Sequence, residues 1–109
     1  KELSMIKEIT FLEDSKKRYS NYWLTTFLLE KNSIIDKDKL RLYLAKHNIE
    51  SRFLWKPMHL QPVFKDCKSY KNGVSEDLFN RGLCLPSGTN LNLEDLNRVV
   101  KIIKEFYEV

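Results

Sequence analysis

The chain has 109 residues, of which 42% are hydrophobic and 31% charged, and this composition predicts one soluble domain with a modest core. No run of 18 apolar residues is present, which excludes a spanning helix, and the first residues lack the apolar segment of a secretory signal peptide. Nineteen Lys and Arg against fifteen Asp and Glu give a net charge of +4, which permits an anionic partner but does not require one.

The first residue bears on the origin of the chain. It begins with Lys1 rather than methionine, so we expect either a processed chain or a piece of a longer protein.

Cys67 and Cys84 form no CxxC pair, and we expect reduced thiols and a cytoplasmic location. Cys84 lies between two leucines and is typical of a small core residue.

Two strands are predicted ahead of the first helix. Residues 9–12 are suited to an edge strand. Residues 22–29 are rich in aromatic and other strand-favouring side chains, and apolar side chains occupy both alternating positions. This pattern is typical of a central strand that is covered on both faces. The polar residues 14–20 between the two strands are expected to form a loop.

The first helix is predicted to begin after Asp36, which is suited to cap its amino end. Ile35 and Leu40 are spaced as a hydrophobic staple around that cap. The side chains spaced i, i+3, i+4 and i+7 along one helix face are Leu40, Tyr43, Leu44 and His47.

A third strand is predicted over residues 50–55. Pro57 ends it, because proline lacks an N–H for the ladder. A short helix or loop and a polar loop over residues 65–73 should follow.

The last two helices carry similar signals. Ser75 is the predicted cap of the second helix, with Val74 and Phe79 as its staple and Gly82 at its end. A strand over residues 83–85, ended by Pro86, comes next. The third helix should run to about Tyr107, with Asn92 as its cap and Asp95 completing a capping box. Its staple and apolar face comprise Leu91, Leu96, Val99, Val100, Ile103 and Phe106.

The predicted order is strand, strand, helix, strand, short helix or loop, helix, strand, helix. It describes an α+β domain in which helices pack on a small, mainly antiparallel sheet.

Most catalytic signatures are missing from the chain. It contains no GxGxxG, P-loop, GxSxG or HExxH motif. The histidines and cysteines lack the spacing of metal ligands. A nucleophilic pair of Cys67 and His59 has no support beyond Lys65 and Lys68, which could lower the pKa of a thiol.

Binding to RNA is a second alternative, because aromatic side chains on a strand can stack bases. Tyr22, Trp23 and Phe27 could form such a platform. The basic-Gly-aromatic pattern of RNA-recognition strands is missing, and these aromatic side chains are better explained as core.

The segment RFLWKPMHLQP, residues 52–62, is the richest in chemical groups. On a strand, Arg52 and Lys56 would share one face about 13 Å apart, which suits separate points on one long anionic ligand. Pro57 would then let Met58 and His59 turn outward at the end of the strand. A surface Arg and Lys beside a buried Trp55, with a histidine that caps a short helix, explains the same residues equally well.

Three motifs are similar to one known family. They are SNYWLTT at residues 20–26, ESRFLWKPMHLQPVF at 50–64 and RGLCLPSGTNL at 81–91. Together they resemble the C-terminal small domain of the DegT/DnrJ/StrS family, which comprises pyridoxal phosphate-dependent sugar aminotransferases of fold type I. The final LEDLNRVVKIIKEF resembles the closing helix of that family, so the resemblance covers nearly the whole chain.

The resemblance implies that the parent enzyme transfers an amino group, usually from glutamate, to a nucleotide-linked keto sugar. It implies pyridoxal 5'-phosphate, held by a lysine, in a full-length homodimer. No lysine in this chain matches the motif of that lysine, and the large domain that carries it is missing. We therefore expect the chain alone to bind no cofactor and to be inactive.

The resemblance also assigns residues to substrate binding. Those that match the R-x-x-W-K-P-M-H segment of the family are Arg52, Trp55, Lys56, Met58 and His59. Arg52 and His59 are expected to contact the sugar nucleotide, and Trp55 and Met58 to form the pocket wall. The L-P-S-G turn, which includes residues 86–88, is expected to give backbone shape. No residue is assigned to catalysis or to metal binding.

The expected partners follow from the same resemblance. They are a nucleotide-linked keto sugar, an amino donor, the large domain of the parent and a second full-length copy. Neither nucleic acid nor a membrane is expected. The alternatives that stay open are a stand-alone binding module and, less favoured, a basic α+β domain that binds nucleic acid.

Overall fold

The computed structural model describes residues 2–12, 17, 19–33 and 35–108. Its strands are β1 (Ile9–Phe11), β2 (Thr26–Leu29), β3 (Arg52–Phe53) and β4 (Gly82–Cys84). Its α-helices are α1 (Lys37–Lys46), α2 (Val74–Arg81) and α3 (Leu93–Phe106), and two 3₁₀ turns cover Met58–Leu60 and Pro62–Phe64. This order confirms the predicted α+β class and its sequence of elements.

The four strands form one antiparallel sheet in the order β1-β2-β4-β3. Directly paired residues point to the same face of a sheet. Phe27 pairs with Phe11 and Leu83, and Leu83 pairs with Phe53, so that these four side chains share the face packed against the helices. Arg52, Cys84 and Thr26 form a row on the opposite face.

Helices α1 and α3 cover the first of these faces. In α1 the Asp36 carboxylate accepts a hydrogen bond from the Asp38 amide at 3.0 Å, as predicted for the cap. Leu40 and Leu44 are fully buried, and each burial contributes roughly 1.5–3 kcal/mol. In α3 the capping box of Asn92 and Asp95 is confirmed. Its core-facing residues are Val99, Ile102 and Ile103.

The strand predicted over residues 22–29 is shorter than expected and begins only at Thr26. The side chains of Ser20 and Asn21 accept hydrogen bonds from the amides two residues ahead, at 3.0 and 3.2 Å. Such bonds compete with strand pairing. Tyr22 also adopts a positive φ of 51°, which takes the chain out of the extended region.

The prediction for residues 50–55 was also too long, because only Arg52–Phe53 pairs with β4. In the same register Leu54 would lie opposite Gly82, the first residue of β4, and the residues after Leu54 would lie opposite helix α2, which offers no strand to join. The shared strand face predicted for Arg52 and Lys56 is therefore wrong. The other two predicted strands differ from the structure by one residue at their ends. The strand predicted over residues 9–12 stops at Phe11, and the one predicted over residues 83–85 spans Gly82–Cys84.

Helix α2 begins two residues earlier than a cap at Ser75 would place it. Its cap is Gly73, and Ser75 lies inside the first turn. The Asn72 side chain accepts a hydrogen bond from the Val74 amide at 3.2 Å, and Gly73 takes a positive φ of 82° that suits glycine. Val74 is 54% exposed and does not serve as the predicted staple.

Two further predictions concern the loops and the membrane. Residues 65–73 carry no helix or strand, as expected, whereas most of the loop predicted over residues 14–20 lies outside the described residues. Among the helices that the structure describes, none is both long and apolar enough to cross a membrane.

Gly82→Ala is expected to lower the free energy of unfolding by about 1–3 kcal/mol, because the added carbon would overpack the junction of α2 and β4. It would lie 2.5 Å from Leu54 Cγ and 2.7 Å from the Leu78 carbonyl oxygen. Urea denaturation of the purified protein measures the loss. Gly88→Ala is the control, since its added carbon meets only the movable Asn90 side chain. Equal stability of both variants would contradict the prediction.

Tyr107→Phe is expected to remove a loss of stability at alkaline pH. Burial, followed by the charge of Glu8, raises the pKa of Tyr107 from 10.0 to about 12. A raised folded-state pKa contributes stability that is complete below pH 10 and is lost as the pH rises through about 12. The Tyr107 hydroxyl is buried and has no partner among the described residues, so its removal should not destabilise the protein at neutral pH.

Thermal unfolding between pH 7 and 12 tests this prediction. Tyr70→Phe, at a position that is 87% exposed, is the control for the loss of a phenol. If Tyr107→Phe keeps the alkaline slope of the parent, another group is responsible for that slope.

Candidate functional site

Arg52 lies beside the turn at residues 86–88, although the two segments are far apart in the sequence. Its pairing with Cys84 places it on the face of the sheet opposite to α1 and α3. A cavity of about 340 Å³ opens there and is lined by Arg52, Glu50, Pro86, Ser87 and Gly88, among others. Leu24 lines the same cavity, so all three motifs that the sequence pointed to meet there.

The charge of Arg52 is balanced within the same cavity. Its Nε and Nη2 atoms lie 2.8 and 2.7 Å from Glu50 Oε1, and both side chains are more than 70% exposed. An exposed pair of this kind contributes about 0–1 kcal/mol, so a stronger anion can displace the carboxylate. Glu50 was not identified from the sequence, because an exposed glutamate does not by itself indicate a binding site.

The turn at residues 86–88 is held by its serine. The Ser87 hydroxyl accepts a hydrogen bond from the Thr25 amide at 2.8 Å and donates to the Leu85 carbonyl at 2.9 Å. The Leu85 amide donates in turn to the Thr25 carbonyl at 2.9 Å. With both roles of its hydroxyl in use, Ser87 supports the shape of this wall rather than offering a free ligand group.

Ser51 is a second lining residue that the sequence analysis missed. Its hydroxyl oxygen is buried and has no partner within the described part of the chain. A buried hydroxyl without a partner costs free energy, and a ligand in the cavity could supply the missing bond. Serines are too common in loops for the sequence to single this one out.

Trp55 is exposed, which makes the alternative of a buried tryptophan wrong. It is 69% exposed, and its ring centroid lies 5.9 Å from that of Trp23, which is 68% exposed. Tyr22 is 70% exposed as well, so the expectation that Tyr22 and Trp23 belong to the core is also wrong. Phe27 does belong to the core at 1% exposure, and the three therefore form no common stacking platform.

Lys56 and Met58 follow Trp55 on the same exposed stretch. The Lys56 carbonyl accepts a hydrogen bond from the Gln61 side chain at 2.9 Å, which holds the bend after the strand. Met58 is 62% exposed. Both side chains are therefore accessible to a ligand at this end of the sheet.

His59 is oriented by a residue from another element. Its Nε2 atom lies 2.7 Å from Glu76 Oε1, and its side chain is only 14% exposed. His59 therefore does more than cap a short helix. It lines a different cavity from Arg52, one of about 230 Å³ that also involves Met58, Phe64, Cys67, Lys68 and Ser69. Of the five predicted substrate-binding residues, Arg52 lines the first cavity and Met58 and His59 line the second, whereas Trp55 and Lys56 line neither.

The cysteines are both free, in line with the expected reduced thiols. Cys84 is buried, and burial raises the pKa of its thiol, which disfavours the reactive thiolate. Cys67 is exposed and shares its cavity with His59, whose Nε2 is already engaged by Glu76. Over the described ranges no three His, Cys, Asp or Glu residues gather in a way that could hold a metal ion.

Lys37 is the described lysine closest in character to a cofactor-binding lysine, because burial lowers its pKa. Its ammonium donates to the Phe79 carbonyl at 2.6 Å and lies 4.6 and 4.3 Å from the ring centroids of Phe53 and Phe79. It lines none of the described cavities. Lys37 therefore stabilises the junction of α1, β3 and α2.

The known proteins that resemble this chain are aminotransferases. Residues 1–104 match the model of the DegT/DnrJ/EryC1/StrS aminotransferase family. EpsN of Bacillus subtilis, named as a pyridoxal phosphate-dependent aminotransferase, is 38% identical over 96% of this chain and 28% of its own length. GDP-perosamine synthase of Escherichia coli O157:H7 is 33% identical over 87% of this chain and 25% of its own length.

The solved structures agree on the fold. DesV of S. venezuelae superposes on 99% of this chain with a TM-score of 0.83 at 22% identity, over 29% of its own length. This chain spans only about a quarter of each of these relatives. It belongs to the DegT/DnrJ/EryC1/StrS family of pyridoxal phosphate-dependent aminotransferases.

Proposed function

We propose that the complete protein transfers an amino group, supplied by glutamate, to a keto sugar that is linked to a nucleotide. In this proposal the chain is the C-terminal small domain, and residues 1–109 contribute substrate-binding side chains. The family match over residues 1–104 supports the reaction class, and two relatives named GDP-perosamine synthase support a nucleotide-linked sugar. The observation that carries the proposal is the exposed R-x-x-W-K-P-M-H segment at the end of β3.

Arg52 is proposed to bind the diphosphate of the nucleotide. Its guanidinium is exposed, and its carboxylate partner is held only by a weak surface pair. A phosphate offers more negative charge and can accept two parallel hydrogen bonds from the same guanidinium. Binding would therefore exchange Glu50 for a phosphate at the mouth of the cavity. The buried Ser51 hydroxyl is positioned to accept or donate one further bond there.

Trp55, Lys56 and Met58 are proposed to form the wall of the substrate site. The exposed indole of Trp55, packed against Trp23, offers an apolar surface for the ring of a sugar or a base. Lys56 adds an accessible positive charge beside it. His59 is proposed to contact a hydroxyl group of the same ligand from the second cavity.

The cofactor belongs to the complete protein in this proposal. When bound, pyridoxal phosphate supplies the electron sink that transamination requires. The present chain binds and orients the sugar, and its own lysines take no part in holding the cofactor. A homodimer and a cytoplasmic location complete the proposal, the latter supported by two free cysteines.

Arg52→Ala in the full-length enzyme is expected to raise the KM for a GDP- or UDP-linked 4-keto hexose about 10- to 100-fold, because a hydrogen bond of a charged group contributes about 1.5–3 kcal/mol. His59→Ala is expected to raise it about tenfold, because a neutral hydrogen bond contributes up to about 1.5 kcal/mol. The absorbance band of the bound cofactor should stay unchanged. Steady-state kinetics and the absorption spectrum measure the two effects. Lys101→Ala, at an exposed position on α3, is the control.

A loss of the absorbance band in His59→Ala or Arg52→Ala would place these residues in cofactor binding instead. A shift of RNA by the purified protein that disappears with added salt would favour the nucleic-acid alternative.

Borohydride reduction of the full-length holoenzyme should attach the cofactor permanently to a lysine outside residues 1–109. In this proposal the lysines of this chain do not hold the cofactor, and Lys37, whose pKa is lowered by burial, is engaged by Phe53 and Phe79. Peptide mapping by mass spectrometry identifies the modified lysine. A pyridoxyl group on any lysine of this chain would overturn the proposed division of labour.

A further inference from the structure

The His59 side chain is hydrogen-bonded to Glu76. The Nε2–Oε1 distance is 2.7 Å, and the two side chains are 14% and 36% exposed. An ionised carboxylate can only accept hydrogen bonds, so the proton of this bond belongs to Nε2. The contact therefore selects one form of the ring: Nε2 is protonated and faces Glu76.

Both partners are held by local structure of their own. His59 lies in the 3₁₀ turn Met58–Leu60, which is closed by bonds from the Leu60 amide to the Pro57 carbonyl and from the Gln61 amide to the Met58 carbonyl. Glu76 lies in the first turn of α2, where the positive end of the helix dipole favours a carboxylate. The bond spans 17 positions and joins two separately ordered elements.

The free nitrogen of the ring is consequently Nδ1. Among the described residues no partner binds it, and His59 lines the cavity beside Met58 and Phe64. In the neutral ring, Nδ1 is an acceptor, which suits a hydroxyl hydrogen such as those of a hexose or ribose. The orientation of the acceptor is determined by Glu76, because a ring with two exchangeable tautomers would otherwise present either nitrogen.

We propose that Glu76 is a positioning residue for substrate binding: it fixes the tautomer and the orientation of His59, so that Nδ1 faces the nucleotide-linked sugar. The inference rests on the proposed function, in which His59 contacts that ligand. Glu76 itself lines none of the described cavities and acts through the imidazole.

Kinetics of the full-length holoenzyme provide the first test, with the GDP- or UDP-linked 4-keto hexose that gives turnover as the probe. Glu76→Ala is expected to raise KM about tenfold with kcat nearly unchanged. Glu76→Gln should recover most of that loss, because its amide oxygen can still accept from Nε2. The double variant Glu76→Ala/His59→Ala should be no worse than His59→Ala, as expected when one residue acts through the other. Glu94→Gln, in the first turn of α3, is the matched control.

Chemical modification provides the second test and needs no substrate. Diethyl pyrocarbonate attacks unprotonated imidazole nitrogens, and peptide mass spectrometry reports the rate at His59. In the parent only Nδ1 is open to attack, so Glu76→Ala should raise that rate severalfold by adding attack at the released Nε2, while Glu94→Gln should leave it at the parent value. Unchanged melting temperatures of Glu76→Gln and Glu94→Gln show that both variants are folded.

The outcomes separate the two proposals. If His59→Ala leaves KM unchanged, the substrate role of His59 fails, and the modification rate alone decides whether Glu76 holds the ring. If His59→Ala raises KM but Glu76→Ala does not, the positioning role is overturned. The positioning role is also overturned if the effects of Glu76→Ala and His59→Ala on KM are additive in the double variant, or if the rate of His59 modification is the same in Glu76→Ala as in the parent.

Discussion

The structure depends above all on the placement of β4, the three-residue strand Gly82–Cys84. All three of its residues are buried, and it pairs with β2 on one side and β3 on the other. Leu83 is fully buried in the core between the sheet and the helices. Helix α2 ends directly before this strand, so the strand also determines where that helix lies.

Charged contacts reinforce this placement from the helix side. Arg81, the last residue of α2, binds both carboxylate oxygens of Asp77 at 2.7 and 3.0 Å and donates to the Leu29 carbonyl at 2.5 Å. The Arg81 hydrogen bond holds the pKa of Asp77 below its ordinary value. One guanidinium thus joins the end of α2 to β2. This junction determines the positions of two groups of the candidate site, because Arg52 pairs with Cys84 and Glu76 lies on α2.

The same region shows that a basic side chain can serve either ligand binding or stability. Lys37 has the lowered pKa that reactive lysines often have, and its cause is burial. Its surroundings are nevertheless two phenylalanine rings and a carbonyl, which stabilise the ammonium. Arg52 presents the opposite case, since its charge is exposed and only weakly paired. Accessibility and the strength of the existing partner separate the two roles.

Local interactions explain what could be predicted from the sequence alone. The caps of α1 and α3 involve residues two or three positions apart, so Asp36, Asn92 and Asp95 could be identified directly. The order of elements follows from similarly local periodicity. The cap of α2 was missed because Asn72 and Gly73 offered a competing local turn that moved the helix start.

The tertiary structure decided the extent of the strands and the assembly of the candidate site. A strand continues only where a neighbour offers backbone groups to pair with, and β3 loses its neighbour at Gly82, where β4 gives way to the last residue of α2. The exposure of Trp55, the meeting of Arg52 with the turn at residues 86–88, and the bond from His59 to Glu76 all join distant segments. The residue types of the site were therefore determined by the sequence alone. Which of them meet was settled by the pairing of β3 with β4 and the contact of α2 with β2, because contacts between distant segments depend on where the chain folds back.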